Sequence, residues 1–395
     1  MKHWPLACLS AWLAGCATAP APVAPPQVEA PAQVRYAHDA LFAPPSEPID
    51  ASRVFALSDE MRRFAADELE KQGWVKGRPV ALVDALYERS QLKLTYDTSM
   101  TRNAAEAFAS RSGNCLSLVI MTAAFAKELG LGVNYQKVIV ADAVARDGDI
   151  YMAIGHVNLT LVTRRTDQGI SFNVAKRPPE SRALTVDFLP QDDMKRLRSQ
   201  SISESTVLAM YMNNRAVEAL AAAEVDDAYW WAREAILQDA SYLPGFNTLG
   251  VVYLRHGNPR EAEPVLRHVL EHEPANVQAM SNLVAVLASL GRKDESERLA
   301  ATLARIDPEP PFSWYLRGMA ALRAGDDRGA RDAFAREVAR APGYHEFHFW
   351  LAVALLRLGE GDEARAHLAL ARENSTSRRD HDLYASKLEK LKRGL

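Results

Sequence analysis

Cysteine is scarce in this 395-residue chain, with three in all, and two of them, Cys8 and Cys16, lie at the N-terminal end. A disulfide framework is thereby excluded from the body, where Cys115 stands alone. Charge of one sign is lacking too: 47 Lys and Arg face 50 Asp and Glu, a net charge of -3. No basic field exists to bind nucleic acid or an anionic lipid surface. Beyond the N-terminal end no run of roughly 18 apolar residues occurs, so no membrane-spanning helix is expected there. The histidines lack a ligand spacing such as His-Glu-x-x-His, no second cysteine completes a zinc set, and no glycine-rich loop cradles a phosphate. Neither a metal nor an organic cofactor is expected.

What is present begins with a leader. Lys2 gives a positive start, Trp4 to Trp12 a short apolar run, and Leu13-Ala14-Gly15-Cys16 resembles a lipobox. Residues 1–15 therefore read as a lipoprotein signal peptide, with Cys16 as the lipidated mature N-terminus and a lipid anchor in a membrane. Residues 16–45 read as a Pro/Ala-rich tether, extended enough to hold a folded body off that membrane. By resemblance to bacterial lipoproteins, Ala17 after the lipidated cysteine implies sorting to the periplasmic face of an outer membrane. The chain is 48% hydrophobic and 25% charged overall, a globular composition long enough for two or three domains. The boundaries fall at 46–200 for a first domain, 205–378 for a repeat region and 379–395 for a C-terminal capping helix.

The repeat is plain from about residue 209. Pro274, Pro308 and Pro342 recur every 34 residues, as do Gly257, Gly291, Gly325 and Gly359. Each unit reads as helix, Gly-containing turn, helix, Pro-marked turn, giving five units near 209–242, 243–276, 277–310, 311–344 and 345–378. Small residues stand where paired helices approach: Ala216, Gly250, Gly318 and Ala352 in first helices, Ala228, Ala262, Ala330 and Ala364 in second ones. The middle unit departs with Val284 and Ser296. Period and pattern resemble tetratricopeptide repeats, which implies an all-α solenoid whose concave face binds a protein or peptide partner. Trp230, Trp231, Trp314, Phe347 and Trp350 either line that groove or fill the core between repeats.

The first domain has another texture. Ser58-Asp59-Glu60-Met61 opens a helix through about Lys71, and Pro79 to Ser90 reads as a second. Ala104 to Ala109 is a third, closed by a turn at Arg111-Ser112-Gly113. Leu116 to Leu129 is apolar on almost every face, hence a buried helix. β-rich runs follow at Val133–Val140, Ile150–Val162, Ile170–Val174 and Leu184–Phe188, separated by polar turns as in an antiparallel sheet. The expected class is α+β, a buried helix against a sheet, with Cys115 at the helix start and His156 on a strand.

These residues carry a resemblance. Thr101, Glu106-Ala107-Phe108, Arg111-Ser112-Gly113-Asn114-Cys115, His156-Val157-Asn158 and Val186-Asp187-Phe188 are similar to the transglutaminase-like, papain-like superfamily. More narrowly they resemble bacterial lipoproteins that join such a domain to tetratricopeptide repeats, with Tyr211-Met212-Asn213-Asn214-Arg215-Ala216 at the junction. The resemblance implies Cys115 as nucleophile, His156 as the acid and base, and Asp187 as the residue that orients the imidazole. Asn173 also lies in a strand after His156 and is the alternative third member. Asn114 and Asn158 are candidate supporting groups. Physical chemistry points the same way, because unsatisfied N–H groups at a helix start and a neighbouring imidazolium favour a thiolate. The expected activity is thiol-dependent processing of amide bonds through an acyl-enzyme, by hydrolysis or transfer. The other reading is a lipoprotein adaptor, in which the repeats bind and the first domain is structural. The superfamily includes calcium-dependent members, but no acidic loop here resembles a calcium site.

Overall fold

The computed structural model describes residues 35–87, 92, 94–97, 100–139, 144–147, 150–153, 156–163, 183–188, 198–309, 312–375 and 378–392. The leader, Cys16, the N-terminal part of the tether, the strand expected at 170–174 and Asn173 lie outside these residues. Among the described residues no helix is long and apolar enough to cross a membrane.

The first helix, α1 (Asp59–Phe64), is capped by the Ser58 hydroxyl, which accepts from the Met61 N–H. It passes through a π-helical stretch, Ala65–Leu69, into α2 (Glu70–Lys76), so the helix outlasts its expected end at Lys71. Gly77, at φ 90°, is what stops it. Next come α3 (Arg78–Tyr87), β1 (Thr95–Tyr96) and α4 (Ala104–Ser110). A capping box between Asn103 and Glu106 opens α4, and Arg111, left-handed at φ 54°, closes it. The segment read as a turn is in part a strand: β2 (Ser112–Gly113) pairs in parallel with β1. From it the chain enters α5 (Cys115–Glu128), buried on every residue from Cys115 to Ala126.

Four strands form an antiparallel sheet in the order β7-β6-β3-β8: β3 (Gly132–Ile139), β6 (His156–Val162), β7 (Leu184–Val186) and β8 (Arg198–Ile202). The last of these is missing from the sequence reading. The single run expected over 150–162 is two strands. β5 (Ile150–Ala153) pairs with β4 (Val144–Asp147) as a separate hairpin, whereas β6 pairs with β3, with His156 opposite Val138. Along β6, Val157, Leu159 and Leu161 enter the same core as α5, which leaves His156, Asn158 and Thr160 together on the other face of the pleat.

Five helical hairpins follow: α6 (Glu204–Ala221) with α7 (Val225–Gln238), α8 (Leu243–Arg255) with α9 (Pro259–His272), α10 (Val277–Ser289) with α11 (Lys293–Ile306), α12 (Ser313–Ala324) with α13 (Asp327–Arg340), and α14 (His345–Arg357) with α15 (Gly361–Glu373). A final helix, α16 (Arg378–Lys392), packs on α15. The array starts at Glu204, earlier than 209, because Ser203 caps α6 by accepting from the Thr206 N–H. The recurring glycines are turn residues with positive φ, 75° to 86°. Gly250 and Gly318 serve close approach: a Cβ there would come within 2.7 Å of Leu266 and of the Phe334 ring. In the middle hairpin Ser296 stands in the small-residue place and its hydroxyl donates to the Val284 carbonyl at 2.9 Å.

One expectation is corrected. The tether does not run to residue 45, because the chain is already docked at Tyr36. Phe42 stacks on Tyr229 with ring centroids 3.9 Å apart, and the Tyr253 hydroxyl donates to the Tyr36 carbonyl at 2.6 Å. The Trp230 indole N–H donates to the Ala43 carbonyl, and Asp226 accepts from the Ala43 N–H. Two buried aromatic anchors outweigh the Pro and Ala around them. Of the aromatics expected either in a groove or in the core, Trp231 and Phe347 are buried and Trp230 serves this docked strap.

Candidate active site

Cys115 is the first residue of α5 and is buried. Its position is set by Asn114, whose side-chain oxygen accepts from the Ser117 N–H and from the Ser117 hydroxyl, both at 2.9 Å. Gly113 is required next to this cap, since a Cβ there would fall 2.6 Å from the Ser117 Cβ. The Asn114 amide in turn donates to the Thr101 hydroxyl at 2.9 Å.

His156 comes from the start of β6 and Asp187 follows the end of β7. The strand register sets Asp187 beside Asn158, continuing the pairing of Leu159 with Val186. His156 Nε2 lies 2.8 Å from Asp187 Oδ1, and the Asn158 amide donates to Asp187 Oδ2 at 2.7 Å. The Cys115 side chain is the other group that acts on this imidazole. With Nε2 committed to Asp187, Nδ1 is the ring nitrogen left for the thiol. The structure therefore brings Cys115, His156 and Asp187 together in that order, with Asn158 holding the far carboxylate oxygen.

Electrostatics follow from this geometry. Burial disfavours the charged imidazole, but the hydrogen bond to Asp187, the neighbouring Cys115 sulfur and the charge of Asp187 outweigh it and raise His156 to about 9. Tyr96 is a participant that sequence reasoning missed. Its hydroxyl is close enough to Cys115 for the two groups to influence each other's charge. Although the side chain as a whole is exposed, loss of water around the hydroxyl, then the neighbouring sulfur, then Asp187 push the phenol well above its ordinary value, so it stays protonated. The available signal was Leu94-Thr95-Tyr96, a β-rich triplet one strand ahead of the motif, too short for a periodicity to show. Among the described residues no three His, Cys, Asp or Glu side chains are grouped to hold a metal ion.

Two family models, both described as tetratricopeptide repeat, match residues 253–318 and 315–378. The C-terminal part is a tetratricopeptide-repeat array. Its solved neighbours are distant. A thermophilic tetratricopeptide-repeat protein from Thermus thermophilus is 19% identical, covering 46% of this chain and 98% of its own, with a TM-score of 0.30. A MamA structure is 17% identical over 40% of this chain and 93% of its own, with a TM-score of 0.24. YrrB, described as a tetratricopeptide-repeat protein with an unusual peptide-binding site, is 19% identical over 45% and 92%, with a TM-score of 0.25. No curated protein matches the chain. The helices α6 and α7 precede the matched repeats and share one hydrophobic core with α5 and the sheet.

Proposed function

We propose that the first domain is transglutaminase-like and that the chain is a thiol-dependent enzyme acting on amide bonds, with the tetratricopeptide repeats recruiting a protein or peptide partner. The observation that carries this reading is the buried His156 with Nε2 on the Asp187 carboxylate at 2.8 Å and the Cys115 side chain acting on the same ring. His156 already holds the thiol proton on Nδ1, as an imidazolium, before the sulfur adds to the amide carbonyl carbon. The tetrahedral oxyanion forms at the start of α5, where the Ser117 N–H is already taken by Asn114 and the protonated Tyr96 hydroxyl beside the sulfur donates to it. His156 then gives the proton to the leaving amine as the C–N bond breaks, and the acyl group remains on sulfur. Water releases an acid from that thioester, and an amine in its place releases a new amide. Asp187 holds the ring in the required tautomer throughout. A lipid anchor at Cys16 would place this chemistry in the cell envelope, on the periplasmic face of an outer membrane.

The test is the rate at which iodoacetamide labels Cys115 at neutral pH. Wild type is expected to react at least about 10-fold faster than His156→Ala, in line with the usual contribution of a positioned base. Equal rates sink the reading of Cys115 as an activated nucleophile.

A further inference from the structure

We propose that the first repeat helix helps present the thiol: Asn214 and Glu218 on α6 are positioning residues that act through Thr101 on the cap of α5. The inference rests on the reading of Cys115 as nucleophile and extends the working unit beyond the first domain.

Thr101 is only 1% exposed and lies between β1 and α4. Its backbone N–H donates to Glu218 Oε1 at 2.6 Å. Its hydroxyl oxygen accepts from two amides, Asn214 at 3.2 Å on one side and Asn114 at 2.9 Å on the other. The next residue grips the same cap, with the Arg102 N–H donating to the Ser117 hydroxyl at 2.8 Å. One buried threonine therefore stands between the repeat array and the residue that caps the nucleophile's helix.

The mechanical consequence lies in Asn114. Both ends of its side chain are committed, the oxygen to Ser117 and the nitrogen to Thr101, so its rotation is fixed. The direction in which Cys115 leaves the helix start is fixed with it. If Thr101 shifts, the half-buried Asn114 amide loses its acceptor, and the cap turns to seek another. The sulfur then moves away from Nδ1 of His156. Displacements of about 1 Å suffice to cost large factors in rate when two reacting groups must meet. Asn214 and Glu218 are what keep Thr101 from shifting, because both bonds reach it from α6, more than 100 residues away in sequence.

The experiment is a double-mutant cycle on the full chain, read by the iodoacetamide rate of Cys115. Thr101→Val and Asn214→Ala are each made alone and together with His156→Ala, and Thr101→Ser is made as the conservative variant. Thr101→Val and Asn214→Ala are expected to slow labelling about 10-fold in the wild-type background and to have no further effect once His156 is gone, since the lost term is the meeting of sulfur and imidazole. Thr101→Ser, which keeps the hydroxyl, is expected within about 2-fold of wild type. Circular dichroism melts report whether each variant is folded. An equal loss in both backgrounds marks a general structural role and overturns the proposal, as does no loss in either. If wild type and His156→Ala react alike, the reading of the nucleophile fails and this proposal with it, so the two failures are told apart within one set of rates.

Discussion

Neutralising Asp187 tests the electrostatics of the site most directly. In the folded chain His156 titrates at about 9 against an ordinary 6.5, a preference for the imidazolium of roughly 3 kcal/mol. Because the folded value lies above the unfolded one, this contribution to stability is complete below about pH 6.5 and is lost as pH rises through about 9. Asp187→Asn removes the charge but keeps an oxygen to accept from Nε2. Its new amide group would face the Asn158 amide, donor against donor. Asn158 has the remedy, because its Oδ1 is buried and finds no partner among the described residues. A half-turn of that side chain offers an acceptor and restores the bond between the two side chains. The variant should therefore fold, with the charge alone removed. The His156 midpoint, followed by NMR of the ring protons, is expected to fall by about one unit or more. The excess stability of pH 6 over pH 10, from urea unfolding, should shrink by about 1–2 kcal/mol relative to wild type. An unchanged midpoint would refute the assignment of Asp187 as the group that holds the imidazolium.

Two further substitutions probe the frame around the site. Phe42→Ala removes the ring stacked on Tyr229 and should cost about 3 kcal/mol, read as a lower urea midpoint together with new protease cleavage within residues 35–47; an unaltered midpoint would show that the strap is not docked in solution. Gly113→Ala places a Cβ 2.6 Å from Ser117 and should destabilise by about 1–3 kcal/mol while slowing Cys115 alkylation. Wild-type stability and rate in that variant would mean the cap has room that the geometry denies it.

Much of this architecture was legible because it repeats or is locally signalled. The 34-residue period exposes five hairpins, since every unit solves the same packing problem with similar small residues and positive-φ glycines. Ser58 announces a helix start through its hydrogen bond to the residue three positions on. Asp187 could be weighed against Asn173 only through its flanking residues, and what joins it to His156 is strand register, which a linear reading lacks. The short strands β1 and β2 have two residues each and no period to detect. The strap was hidden for a different reason: composition averages over Pro and Ala, whereas docking depends on Tyr36 and Phe42. Thr101 was visible as part of a motif but its partners were not. Asn214 and Glu218 lie 113 and 117 positions away, and no local rule connects them.

Those long-range bonds bear on how an enzyme is to be told from an adaptor. Removing the repeats is the obvious way to separate the two readings, but the described residues do not divide there. One apolar core runs from Tyr36 through α5 to Leu287, and the next begins only at Leu322. Deleting α6 would leave the Thr101 N–H without Glu218 and the Thr101 hydroxyl without Asn214, in a place where each orphaned group costs about 1–3 kcal/mol. It would also strip Val207, Tyr211 and Met212 from the core that supports the thiol helix. A truncated first domain that lacks activity would thus say nothing about where activity resides. Cys115→Ala is the cleaner change, because a buried cysteine packs as a small apolar side chain and alanine leaves the shared core intact. Loss of function in that variant, with partner capture by the repeats retained, assigns the chemistry to the sulfur; retained function assigns the work to the repeats.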